Sequence, residues 1–258
     1  MSMPNRDMFE PSRRVLHTLN ALGRELVSNS DTEDMARKIV TAGIALLPLS
    51  VCCLWRRDAA RSPDTLRLVM VRGTDRRRPF PGCLPLAGSV SGRALETCRC
   101  QLVMDLARGP ASAEKTMVSQ RGLVSLLCVP VLSEGHAPDG VLQCFTGVQH
   151  TFSDLEIQVA EALALQAGMV WHMAGMRGEA VHLKEELQTR KRVDRAKEVL
   201  MDQRDLTAEE AYRWIQKRSM DTRRSMRAVA ETIIMSETTG HYTSIPHALD
   251  LLNKPPRK

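Results

Sequence analysis

At 258 residues, with 43% hydrophobic and 26% charged side chains, the chain is long enough for about two domains with real cores. Aromatic residues make up only 3%, which argues against a sheet-type RNA binder with a base-stacking platform. A net charge of +6 is compatible with a polyanionic partner without demanding one.

The opening run MSMPNRDMFEPSRR has no apolar core and no cleavage pattern, so no signal peptide is expected. The most apolar long stretch, Leu155 to Met176, carries Glu156, Glu161, Gln158, Gln166 and His172, which speaks against a membrane span. Seven cysteines without an export signal read as reduced thiols, and a cytoplasmic protein is expected.

Residues 1–12 read as a flexible arm. From Arg14 to Ser28, the spacing of Val15, Leu19, Leu22 and Leu26 predicts a helix. Ser30-Asp31-Thr32-Glu33 has the form of a capping box and opens a second helix to about Leu47. Val51–Trp55 and Leu66–Val71 are rich in strand formers, with Ser62-Pro63-Asp64 as the turn of a hairpin. Residues 74–85, rich in arginine and proline, read as a loop. Leu86 to Ala94 reads as a turn into a short helix, and Gln101–Asp105 as a strand. Val124–Val131 and Val141–Gly147 are two more strands, with Gly135–Gly140 between them. Ser153-Asp154-Leu155-Glu156 is another capping box, with Phe152 placed to staple onto Ile157, and a long helix follows.

This order predicts an α+β unit, an antiparallel sheet flanked by helices. Over about 13–176 the chain resembles a GAF domain, a small-molecule sensory module. The resemblance rests on Leu86–Ala94, the strand ending at Asp105, Leu126 to Val131, Gly140-Val141-Leu142 and Phe152-Ser153. It implies a small-molecule or redox signal as input. Because its motifs are structural glycines and core aliphatics, it specifies fold and leaves the ligand open.

Within this region the cysteines are the residues with chemistry. Cys52 and Cys53 are adjacent on a strand and should point to opposite faces, with Cys128 and Cys144 also in the sheet. Buried apolar cysteine is their default reading. Cys83 beside Arg76, Arg77 and Arg78 has the surroundings of a redox-sensing thiol. Some GAF proteins are thiol-based methionine sulfoxide reductases, but Cys83, Cys98 and Cys100 do not complete that pattern. Cys98 and Cys100 are too close for a Cys-x-x-Cys metal clip. His172 reads as helix packing rather than as a haem or copper ligand. With no phosphate loop, nucleophile elbow or His-Glu-x-x-His run, neither a cofactor nor an enzyme activity is expected.

After Met176 the helix continues, with Ala180, Leu183 and Leu187 spaced as a brief dimer seam. Gly175 and Gly178 weaken it there. From Arg190 to Ile234 the pattern is three short amphipathic helices that must bury one another. Their apolar stripes are Val193, Ala196 and Leu200; Ala211, Trp214 and Ile215; and Met226, Val229, Ala230 and Ile233. Thr207 to Glu210 is a capping box that opens the middle helix. A second break is expected at Ser219–Thr222, with Asp221 as N-cap of the last helix. The outward faces are basic, but Asp and Glu are interleaved, so spacing alone leaves nucleic-acid binding and a merely solvated face both open. The tail from Ser236 is polar and reads as disordered.

The run Arg190-Lys191-x-Val193-x-x-Ala196-Lys197-x-x-Leu200-Met201, with Leu206-Thr207-x-Glu209-x-Ala211-Tyr212, Ser219-Met220-Asp221 and Val229-Ala230, resembles the ANTAR domain. That domain is the RNA-binding module of transcription antitermination regulators. Where that family often has glycine after the Ala-Lys pair, this chain has Glu198. The implied organisation is an arm (1–12), a sensor (13–176), an RNA-binding unit with a coiled-coil lead-in (177–235) and a tail (236–258). The implied partners are mRNA leader hairpins and a second copy of the chain, and no membrane. Arg190, Lys191 and Lys197 are the first candidates for RNA contact. Tyr212, Arg218, Ser219, Met220, Arg223 and Arg224 are the next. A DNA-binding helix-turn-helix regulator and a thiol enzyme remain as alternatives.

Overall fold

The computed structural model describes residues 10–28, 31–58, 62–73, 79–118, 121–133 and 138–238. They fall into two compact units divided between Met176 and Arg177.

The first unit opens with α1 (Glu10–Ser28) and α2 (Thr32–Leu46). Its strands are β1 (Val51–Asp58), β2 (Ser62–Gly73), β3 (Cys83–Pro85), β4 (Gln101–Val103), β5 (Ser125–Leu132) and β6 (Pro138–Thr146). They form one six-stranded sheet in the order β3-β2-β1-β6-β5-β4, antiparallel throughout. Two short helices, α3 (Val90–Thr97) and α4 (Ala113–Val118), interrupt the strands, and α5 (Asp154–Arg204) follows them.

Strand alternation sorts the sheet into two cores. Cys52, Leu54, Leu142 and Cys144 face one way and pack with Ile39, Val40, Leu163 and Trp171 of α2 and α5. Cys53, Trp55, Val141 and Phe145 face the other and pack with Val90, Ala94, Met117 and Val118 of α3 and α4. The adjacent cysteines Cys52 and Cys53 therefore lie in different cores. Both faces are covered, which is why β5 reads as an unbroken apolar run.

Several local expectations need correction. Glu10 to Ser12, assigned to the arm, belong to α1, and residues 1–9 lie outside the described set. Asp31 caps α2 by accepting from the Glu33 and Asp34 amides; Ser30 lies outside the described residues. Ser62-Pro63-Asp64 is strand, because Ser62 already pairs with Asp58. The expected loop 74–85 contains β3, which pairs with β2 at the sheet edge. Its Pro85 stands at the strand end, a position where the missing N–H is tolerated. Helix α4 is not among the elements expected from the sequence, although Ser112 signals it: its hydroxyl accepts from the Lys115 amide at 3.1 Å. The Ser153–Glu156 box is present, with the Ser153 amide donating to the Glu156 carboxylate at 2.7 Å.

Helix α5 packs so closely on the sheet that a Cβ at Gly168 would stand 1.9 Å from the Leu132 carbonyl oxygen, whereas a Cβ at Gly175 would meet nothing within 4 Å. Gly168→Ala is therefore expected to cost about 3 kcal/mol by overpacking. Gly175→Ala should stabilise by up to about 1 kcal/mol through helix propensity. Urea unfolding of the two variants checks this pair; equal effects would refute the packing argument.

In the second unit, the end of α5 packs with α6 (Ala208–Thr222) and α7 (Met226–Thr238). Val193, Ala196, Leu200, Ala211, Ile215, Val229, Ala230 and Ile233 are buried together, with Trp214 and Met226 packed against them. The expected stripes thus meet in one core. The first of the three helices is not short, however, but the end of a 51-residue helix. Ser219 to Thr222 is not a break either. Helix α6 continues through it, and Arg223 closes the helix in the left-handed conformation at φ 53°. The N-cap of α7 is Ser225, whose hydroxyl accepts from the Ala228 amide at 3.2 Å, so Asp221 does not cap that helix. Residues 239–258, most of the expected tail, lie outside the described set.

Candidate nucleic-acid interface

The Thr207–Glu210 box fixes where α6 starts, and so where Tyr212 emerges one turn later. The Thr207 amide and hydroxyl donate to the Glu210 carboxylate at 2.9 and 2.7 Å. Those two bonds hold the Glu210 carboxyl below its usual range. On α5, steps of three and four residues place Arg190, Val193, Asp194 and Lys197 on one side. Tyr212 from α6 and Met226 from α7 close that side into a groove of about 580 Å³. Tyr212 remains 44% exposed there.

The charge in the groove is mixed. Glu185, Glu186 and Asp194 line it together with Arg190, Lys197 and His182, and His182 lies 3.3 Å from the Glu186 carboxylate. Lys197 donates to Asp194 Oδ1 at 2.8 Å. Glu198, the departure from the family pattern, pairs instead with Arg195 at 3.0 Å. Lys191 is exposed outside the groove lining.

The other candidates collect elsewhere, at the corner between α6 and α7. Ser219 Oγ donates to the Arg224 carbonyl at 2.6 Å, and the Arg224 amide donates back to the Ser219 carbonyl at 3.2 Å. These two bonds hold the corner shut. Met220 and Arg223 are exposed. The Nε of Arg218 is buried without a hydrogen-bond partner among the described residues. A left-handed arginine costs roughly 1–2 kcal/mol, so Arg223 is strained where glycine would be relaxed. The segment 218–224 that forms this corner carries Arg218, Arg223 and Arg224 and one carboxylate, Asp221.

Other basic residues of the unit are taken up by structure. Glu231 of α7 accepts from Arg227 at 2.9 Å and pairs with Arg192 of α5 at 3.2 Å. Arg227's bond comes first in holding the Glu231 carboxyl below its usual range. The Arg204 guanidinium lies 5.2 Å from the centre of the Trp214 ring. The sequence thus overcounts the available cations, and the two surfaces it merges are distinct.

In the first unit, a polar network sits inside the core under α3. Glu114 is fully buried, with no cation bonded to its carboxylate among the described residues. It accepts from the Val90 and Ser91 amides at the start of α3, both at 2.9 Å, and from Ser91 Oγ at 2.8 Å. Gln143 Nε2 donates to Ser91 Oγ at 2.8 Å, and Trp55 Nε1 donates to Gln143 Oε1 at 2.8 Å. The helix N-terminus is what stabilises this buried charge. Sequence reasoning missed the network because its members lie far apart in the chain. A cleft of about 230 Å³ opens beside it, lined by Ser89, Arg93 and Ser112 among others.

The thiols divide clearly. Cys52, Cys53, Cys128 and Cys144 are buried, while Cys83 and Cys98 are exposed. Cys100 donates to Glu161, and burial first, then that bond, pushes its thiol up to about 12. A thiol at that value is not a nucleophile near neutral pH. The arginines thought to activate Cys83, Arg76 to Arg78, lie outside the described residues.

Comparison with known proteins agrees with this division of the chain. Residues 29–172 match the model of the GAF domain, and residues 181–234 match that of the ANTAR domain. The chain belongs to the GAF-domain family and carries an ANTAR domain behind it. The transcriptional regulatory protein PdtaR of Mycobacterium tuberculosis is 38% identical over 79 residues, which are 31% of this chain and 38% of that protein. The chain therefore spans well under half of that relative. The GAF domain of a phosphoenolpyruvate-protein phosphotransferase from Coxiella burnetii superposes with a TM-score of 0.55 at 18% identity, covering 66% of this chain and 98% of that one. Free methionine-R-sulfoxide reductase from Neisseria meningitidis gives 0.54 at 16% identity, covering 69% and 96%. At such identities these two likenesses concern fold alone. No helix among the described residues is long and apolar enough to cross a membrane.

Proposed function

We propose that this protein is a signal-responsive transcription antitermination regulator of the cytoplasm. Its ANTAR unit binds hairpins in nascent mRNA, and its GAF unit senses a small molecule or redox state. The observation that carries the reading is the corner between α6 and α7, where arginines collect around a strained left-handed turn in a unit that matches the ANTAR domain. We assign no catalytic role, since PdtaR, the relative at 38% identity, is a transcriptional regulatory protein.

Sequencing the RNA that copurifies with the full chain tests the proposal. Enrichment of leader hairpins is expected; recovery of no RNA above background would remove the reading. In a competitive gel shift, duplex DNA displacing the hairpin would favour the helix-turn-helix alternative instead.

A second copy of the chain is the partner proposed for α5. Leu183 and Leu187 are 63% and 55% exposed and, with Ala180, continue a three-then-four spacing. Leu183→Asp combined with Leu187→Asp is expected to shift the protein from dimer to monomer in sedimentation. A variant that sediments like the parent would exclude this seam.

A further inference from the structure

We infer that the groove of the ANTAR unit reads the edge of one unpaired base, with Asp194 as the discriminating residue, while phosphate contact falls to the α6–α7 corner. The inference rests on the RNA-binding reading above and assigns roles within it. Three carboxylates and two full cations line the groove, which makes it a poor seat for a phosphate. Ionised carboxylates accept hydrogen bonds and donate none. They therefore suit base edges that present N–H groups, the exocyclic amines of adenine, cytosine and guanine and the ring N–H of guanine.

The remaining lining fits the same occupant. Tyr212 offers a half-exposed ring for stacking, and Met226 an apolar surface beside it. Unpaired loop bases are recognised in this way, by stacking together with bonds to their edges. Lys197 binds Oδ1 of Asp194, which orients the carboxylate and leaves Oδ2 without a hydrogen-bond partner among the described residues. The volume of about 580 Å³ falls among those of small-ligand sites, about 300–1,000 Å³. At the corner the balance is reversed, with arginines outnumbering the single Asp221, as phosphate contact requires.

The test uses the full chain and a pool of RNA hairpins with one fixed stem and a randomised loop. The wild type is expected to enrich amine-bearing bases over uracil at one loop position. Asp194→Asn keeps the shape but replaces an acceptor with a donor, and should reduce that preference at least about 5-fold. Tyr212→Ala should weaken capture by about 10-fold, and Tyr212→Phe should retain it. Arg218→Ala with Arg223→Gly should weaken all loop sequences alike and make the salt dependence shallower by about two phosphates. If the wild type captures hairpins and Asp194→Asn keeps the full loop preference, this inference falls and the RNA-binding reading stands. If the wild type captures no hairpin, both fall. Circular dichroism of each variant separates loss of binding from loss of fold.

Discussion

Glu114→Ala should destabilise the GAF unit by about 3–5 kcal/mol. The substitution strands the Val90 and Ser91 amides and the Ser91 hydroxyl, all of which donate to this carboxylate inside the core. Each buried donor left without a partner costs about 1–3 kcal/mol. The loss spreads further, because Ser91 also holds Gln143, which in turn holds Trp55. Glu114→Gln should recover only part of the deficit. It keeps one acceptor but turns an amide NH2 towards groups that are themselves donors. Chemical unfolding followed by tryptophan fluorescence reports the change, since Trp55 and Trp171 both belong to this unit. A midpoint within experimental error of the wild type would mean that the network contributes nothing. The physical point is that a buried carboxylate without a bonded cation is tolerable only where every lone pair it uses is matched.

The second large effect concerns RNA. Replacing Arg190 and Lys197 together with alanine is expected to lower hairpin affinity by about 30-fold, at roughly 1 kcal/mol for each cation near a solvated surface. The groove would then keep Glu185, Glu186 and Asp194 with neither full cation to offset them. Asp194 would also lose the ammonium that orients it. Titrations at several salt concentrations measure the change, and the deficit should narrow as salt screens the exposed carboxylates. Unchanged affinity at low salt would remove the groove from the interface. Arg192 provides the contrast. It is already committed to Glu231, so Arg192→Ala should act on stability more than on RNA.

The residues that were legible in the sequence share a physical feature: their partners are close along the chain. The Thr207–Glu210 box needs only residues three apart, and it forms as its spacing implies. The opposite faces of Cys52 and Cys53 follow from strand alternation alone. The three apolar stripes of the C-terminal helices follow from helical period, and they meet in one core. Ser112 could have revealed α4, but the helix has only six residues, too few for its apolar spacing to stand out.

The misreadings arose where conformation contradicts residue type. Ser219, Asp221 and Thr222 make this stretch look like a break, yet α6 continues through it because Arg223, not the residues before it, adopts the left-handed turn. Arginine is not a residue from which that turn can be read. Pro63 and Pro85 looked like loop residues, yet both lie in strands that pair in the sheet.

By itself, the sequence determined the order of the helices and strands apart from β3 and α4, the two-part division into GAF and ANTAR resemblances, and which side chains are apolar enough to be buried. Tertiary structure alone decided that Arg192 of α5 is neutralised by Glu231 of α7, residues 39 positions apart in the chain. It also separated one expected binding surface into an acid-lined groove and a basic corner, and it gathered Trp55, Ser91, Glu114 and Gln143 into one network. Helical and strand periods act over a few residues, whereas charge pairing and desolvation depend on distances in space that only the packed chain defines.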